Sequence, residues 1–138
     1  MKNIQIADLT VGNDRPLTLI AGPCQLESAD HAQMIAGKMK EACDAAGAQY
    51  VFKGSFDKAN RTSINAKPAL GLEEGLRVLQ SVKDTIGVPV LTDIHEAYQC
   101  EPVAQVCDIM QIPAFLCRQT SLLLAAGRTG AVINVKKG

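Results

Sequence analysis

Lys53, Lys58 and Arg61 lie close together in the stretch Phe52-Lys53-Gly54-Ser55-Phe56-Asp57-Lys58-Ala59-Asn60-Arg61-Thr62-Ser63, with Asn60, Thr62 and Ser63 as hydrogen-bonding neighbours. Cations grouped beside amide and hydroxyl groups suit a small polyanion, a phosphate or a carboxylate. A solvated basic loop has the same composition. The stretch starts apolar, at Tyr50-Val51-Phe52, and turns polar within a few residues. A buried parallel strand opening into a loop reads this way.

Other reactive residue types also sit where apolar runs end. Cys24 follows Ala21-Gly22-Pro23, and Asp93 and His95 follow Val88 to Leu91. Gln111 lies in the run Ile109 to Ile112, ahead of Pro113 and Ala114, and Lys136 follows Ala131 to Val135. Each has a plainer reading. Asp93 can cap a turn. His95 can be a packed, neutral ring. Gln111 needs partners in an apolar run whatever its function. Cys24 can be a buried thiol. His31 reads as an exposed helical residue with no assigned role.

The elements that must position these groups follow from periodicity. Lys2 to Ala7 alternates, and residues 1–15, with Ile4, Ile6, Leu9 and Val11 ahead of the turn-like Gly12-Asn13-Asp14, read as a strand or hairpin. Leu17 to Ala21 reads as the first core strand. Ser28 caps a helix whose apolar face runs from Ala32 to Ala46 and stops at Gly47. Leu72, Leu76, Leu79, Val82 and Ile86 predict a second helix, with Glu73 and Glu74 early, Lys83 late and Gly87 at its end. A short helix is predicted around Ala97 to Val106, and Thr120 is predicted to cap another through Leu122 to Ala125.

Strand and helix therefore alternate, which makes a parallel sheet with right-handed crossovers. Five strands would complete a flavodoxin-like open sheet. They would be only the first half of a (β/α)8 TIM barrel, which needs about 250 residues. The polar strand ends favour the barrel. An open sheet concentrates its ligand crevice at one switch point, whereas here every strand end carries a reactive residue. Residues 16–138 are thus expected to be the first half of a barrel, roughly strands 1–5, behind the hairpin of residues 1–15. All of 1–138 would form one partial TIM-barrel catalytic domain.

Composition narrows the classes. The 138 residues are 47% hydrophobic and 20% charged, which is globular rather than disordered. Fourteen Lys and Arg balance fourteen Asp and Glu, so no bulk charge draws the chain to nucleic acid or an anionic membrane. No membrane-spanning run or secretory pattern is present, which leaves the cytoplasm as the expectation. Five cysteines, Cys24, Cys43, Cys100, Cys107 and Cys117, fit no zinc-finger spacing and read as reduced thiols.

With the strand ends collected, the chain resembles the 3-deoxy-D-manno-octulosonate 8-phosphate synthase family, in its N-terminal half and its metal-dependent, cysteine-bearing class. The matching segments are Ala21-Gly22-Pro23-Cys24, Phe52 to Ser63, Thr92-Asp93-Ile94-His95-Glu96, Gln111 to Thr120 and Asn134-Val135-Lys136-Lys137-Gly138. Lys58-Ala59-Asn60-Arg61-Thr62-Ser63 is the most diagnostic, because the sister DAHP synthases have a Lys-Pro-Arg-Thr segment instead.

The resemblance implies condensation of phosphoenolpyruvate with D-arabinose 5-phosphate, in lipopolysaccharide biosynthesis. It implies Lys53, Lys58, Gln111 and Lys136 on phosphoenolpyruvate, and Asn60 and Arg61 with Thr62 or Ser63 on the sugar phosphate. Lys58, Asp93 and His95 would be catalytic, with Pro113 and Ala114 in the substrate site. Arg118 would reach a neighbouring subunit's sugar phosphate, implying a homo-oligomer, by resemblance a tetramer. Cys24 would bind a divalent metal, zinc, iron(II) or manganese, whose other ligands lie beyond residue 138. The chain therefore reads as a fragment of the enzyme, inactive alone. Two alternatives stay open: a DAHP synthase using erythrose 4-phosphate, and a non-catalytic phosphate-binding fragment.

Overall fold

The computed structural model describes residues 2–59, 63, 65 and 69–138. The alternating N-terminal segment forms a hairpin, in which β1 (Ile4–Ile6) and β2 (Leu9–Val11) pair antiparallel. Its turn is Ala7-Asp8, with Ala7 at φ 50°, the left-handed geometry that two-residue hairpin loops demand. Gly12-Asn13-Asp14 follows β2 and does not close the hairpin.

Five parallel strands come next, β3 (Thr18–Ala21), β4 (Gln49–Lys53), β5 (Val90–Asp93), β6 (Ile109–Ile112) and β7 (Val132–Val135), paired in unbroken chain order. The connecting helices are α1 (Ala29–Ala46), α2 (Leu72–Ile86), α3 (Cys100–Val106) and α4 (Thr120–Arg128), and each touches the next. A doubly wound open sheet reverses its strand order at the switch point. No reversal occurs here, and the arrangement is that of a partial (β/α) barrel.

Local chemistry sets the helix limits. The Ser28 hydroxyl accepts the His31 amide at 3.2 Å and starts α1. Gly47, at φ 66°, ends it in a left-handed cap that returns its amide to the preceding carbonyls. Thr120 is not a cap. It is the first residue of α4, and Gln119 holds the cap position without a side-chain bond. His31, expected to be exposed, is half-buried.

Each strand separates two packing layers by alternation. Tyr50, Phe52, Val90, Met110 and Ile112 pack against the helices, with Ala32, Ala36, Val78, Leu79, Val82 and Leu122. Val51, Leu91 and Ile109 gather on the other face with Ile6 of the hairpin, flanked by Leu9, Val11 and Val132. The hairpin is tied down by Gln49, whose Nε2 donates to the carbonyls of Thr10 (3.0 Å) and Pro16 (3.2 Å). Lys83 of α2 bonds Asp108 Oδ1 at 3.1 Å, and Asp108 Oδ2 accepts the Val90 amide at 2.9 Å. That tie fixes where β5 starts, and so where Asp93 emerges.

The expectation of a core first strand needs correction. β3 is an edge strand, and Leu17, Leu19 and Ile20 are 75%, 37% and 41% exposed. Its apolar sequence suits a strand covered on both faces, but only β4 pairs with it among the described residues. Val135 on β7, at the opposite edge, is also exposed. Among the described residues no helix is long and apolar enough to cross a membrane.

Candidate active site

Strand register places three polar side chains side by side. Asp93 pairs with Gln111, and Gln111 with Asn134, across β5, β6 and β7. Two residues earlier, the same alignment joins Leu91, Ile109 and Val132. Because side chains two apart share a face, a polar row overlies the apolar layer that the hairpin seals.

The polar row is hydrogen-bonded throughout. Asn134 Nδ2 donates to Gln111 Oε1 at 2.8 Å, and Gln111 Nε2 donates to Asp93 Oδ1. The other carboxylate oxygen, Oδ2, accepts the Ser55 hydroxyl at 3.0 Å. Ser55 Oγ in turn accepts from Lys53 Nζ at 2.8 Å and Lys58 Nζ at 2.9 Å. One buried hydroxyl thus joins two ammonium groups to one carboxylate.

Backbone contacts beyond the strands hold the surrounding loops. Leu26 N donates to Ser55 O at 3.0 Å, Ile94 N to Gln111 O at 3.0 Å, and Lys136 N to Ile112 O at 3.1 Å. Gly22 explains the Gly-Pro-Cys segment. A Cβ there would lie 2.0 Å from the Lys53 carbonyl oxygen, so only glycine lets the end of β3 approach β4 this closely.

These contacts enclose a cavity of about 210 Å³. Cys24, Lys53, Lys58, Asp93 and Lys136 supply its polar groups, with Ala59, Pro113, Ala114 and Phe115 as walls. Gln111 joins it through Asp93. The strand-end residues expected to gather do so. Burial pushes the Lys53 ammonium below the ordinary lysine range. Asp93 pulls it up, Lys58 pushes it down and Cys24 pulls it up. Three lysines facing one small cavity make a site for a multiply charged anion.

Other expected residues lie elsewhere. His95 is not a wall of the cavity. Its ring meets Phe56 edge-on, 6.0 Å between centroids, and neither nitrogen has a partner among the described residues. Burial lowers its pKa, against the pull of Asp57 and Asp93. Arg118 is exposed and outside the cavity wall. Ser63 is exposed, and its hydroxyl accepts the Asn65 amide at 3.2 Å. Asn60, Arg61 and Thr62 lie outside the described residues.

Ser55 and Asn134 are the members that sequence reasoning left without a role. Each lies two residues from an assigned lysine, but Ser55 falls after β4 and Lys136 after β7, where strand alternation no longer places side chains, so spacing alone did not mark them. For a metal, the described residues offer an incomplete set. No three His, Cys, Asp or Glu gather among them, and Cys24 alone presents a soft donor to the cavity.

The 2-dehydro-3-deoxyphosphooctonate aldolase of Cyanothece sp. is 58% identical over 139 residues, covering 100% of this chain and 51% of that protein. Proteins of the same name from Brucella ovis and Brucella abortus are 56% identical over 135 residues, covering 98% of this chain and 49% of theirs. The chain spans about half the length of the curated relatives it matches. A family model described as the DAHP synthetase I family matches residues 2–138, and the chain belongs to that family.

Proposed function

We propose that the full-length protein carrying these residues condenses phosphoenolpyruvate with D-arabinose 5-phosphate, giving 3-deoxy-D-manno-octulosonate 8-phosphate and inorganic phosphate. The observation that carries this reading is the convergence of Lys53, Lys58 and Lys136 with Asp93 and Cys24 around one cavity at the carboxyl ends of the strands. The relatives' name, 2-dehydro-3-deoxyphosphooctonate aldolase, supports it.

Carbon 3 of phosphoenolpyruvate forms the new bond to the sugar aldehyde carbon, whose oxygen takes a proton. Water adds at carbon 2, and the bond from carbon 2 to the bridging oxygen breaks, releasing phosphate. Lys53, Lys58 and Lys136 hold the phosphate and carboxylate of phosphoenolpyruvate. Bonds to Ser55 set Lys53 and Lys58 in place before substrate arrives, which lowers the entropic cost of alignment. Ser55 keeps Lys53 and Lys58 together, and Asp93 balances their charge. Gln111 completes this binding face, with Pro113 and Ala114 excluding water. Asn60, Arg61, Thr62 and Ser63 take the sugar phosphate. His95 packs against Phe56 outside the cavity wall, and Arg118 serves a neighbouring subunit in a homo-oligomer working in the cytoplasm.

Cys24 fits one ligand of a divalent metal, zinc, iron(II) or manganese. When bound, the metal supplies a Lewis acid that polarises an oxygen of the substrate.

The deciding experiment compares product formation from arabinose 5-phosphate and erythrose 4-phosphate. The reading expects the first to be used. Preference for the four-carbon sugar would move the protein to the reaction of the family's name. Absence of product from both would remove the catalytic reading. Arg61→Ala is expected to lower kcat/KM for arabinose 5-phosphate about ten- to a hundred-fold, the worth of one charged hydrogen bond. KM for phosphoenolpyruvate should barely move. Equal losses on both substrates would count against Arg61 as the sugar-phosphate anchor.

A further inference from the structure

We infer that Asn134 is a positioning residue that completes the polarity Asp93 imposes on the polar row, holding the Gln111 amide in the orientation that serves Asp93. The inference rests on the proposed reaction and assigns it a further residue. The argument is one of donors and acceptors. An ionised carboxylate only accepts, so Gln111 must turn its NH₂ to Asp93. Its carbonyl then faces β7, where only a donor is acceptable. Asn134 Nδ2 is that donor, at 2.8 Å, on the residue paired in register with Gln111. Gln111 is 6% exposed and Asp93 7%, so water is a poor substitute for a missing partner. With its carbonyl held by Asn134 and one N–H by Asp93, Gln111 keeps a single N–H to offer a ligand. Its amide cannot rotate without breaking both bonds.

The charged groups near the row are Asp93 from β5, Lys53 and Lys58 through Ser55, and Lys136 after β7. None of them replaces Asn134 as the donor to Gln111 Oε1 in the bonds of this structure.

The test uses the full-length protein. Asn134→Asp keeps the shape and replaces the donor with an acceptor. At neutral pH kcat/KM for phosphoenolpyruvate should fall about ten- to a hundred-fold, while KM for arabinose 5-phosphate holds. Acidification should recover part of the loss, because a protonated carboxyl again donates to Gln111. Asn134→Ala should show a similar loss without that recovery. A purely structural asparagine would leave the shape of the pH profile unchanged, and that result overturns the inference. So does wild-type kinetics in Asn134→Ala.

A second arm is independent of turnover. Combining Asp93→Asn with Asn134→Asp lets every bond of the row reverse direction. The thermal midpoint lost in Asn134→Asp should then recover by several degrees, a coupling that a double-mutant cycle reads directly. Additive losses overturn the inference. Absence of condensation by the wild type would remove the proposed reaction alone, leaving this arm to decide Asn134.

Discussion

Asp93→Ala is expected to lower kcat/KM of the full-length protein about a hundred- to ten-thousand-fold. The carboxylate accepts from Ser55 on one oxygen and from Gln111 on the other, and it is the counter-charge beside Lys53 and Lys58. Each of its two hydrogen bonds is worth roughly 1.5–3 kcal/mol. Alanine orphans both donors at once and leaves two ammonium groups leaning on a hydroxyl with nothing beyond it.

Asp93→Asn separates the two contributions. Its amide can donate to Gln111 if Gln111 and Asn134 both flip, so the bonded row survives while the charge is lost. The effect should then appear in the pH profile. Lys53 already sits below the ordinary lysine range because it is buried, and Asp93 is what pulls it up. A cation needed for anion binding is lost as pH rises through its pKa. The alkaline fall in activity should therefore move to lower pH in Asp93→Asn. An unmoved alkaline limb would show that Asp93 does not tune Lys53.

Cys24→Ser is expected to lose bound metal and activity together. A neutral hydroxyl is a much poorer ligand than a thiolate for zinc or iron(II). The loss should exceed the ~10–100-fold that follows removal of a mere outer-shell partner. Metal content by elemental analysis gives a readout besides turnover. A strong chelator should silence the wild type, and zinc, iron(II) or manganese should restore it. Cys24→Asn is the more searching variant. Its amide fits the same place and can hydrogen-bond the reactants, so some activity should persist without metal. Full activity of the wild type after exhaustive metal removal would end the metal-dependent reading and leave the anion site intact.

The residues of this site differ in how far sequence alone could reach them. Cys24, Lys53, Asp93 and Lys136 were legible because a buried parallel strand is an apolar run, and its carboxyl end shows as the point where the run breaks. Ser28, Gly47 and Gly87 were legible as well, since caps depend on local backbone geometry. Ser55 and Asn134 were not assigned. A single serine or asparagine has no pattern, and its role appears only once register sets Asn134 beside Gln111 and Ser55 beneath two lysines. The exposure of β3 follows from its place at the edge of the sheet. An apolar run reports what a strand can bury against, and only its neighbours decide whether it does. Thr120 misled because a threonine suits a cap by type, yet the chain enters α4 one residue earlier.

The unequal placement of the five thiols gives the molecule two chemical clocks. Cys43, Cys100 and Cys107 are all buried, and burial beside Asp108 pushes the Cys107 thiol up to about 12. Cys24 stands exposed at the mouth, and Cys117 is half-buried, its sulfur accepting the Gly138 amide at 3.4 Å. Alkylation proceeds through the thiolate and needs access. A gentle alkylating reagent therefore consumes Cys24 first, at the rate of an accessible thiol, and whatever occupies the mouth slows that phase. The three interior sulfurs react only as often as the sheet and helices part. Their consumption times the opening of the fold itself, in the same tube and with the same reagent.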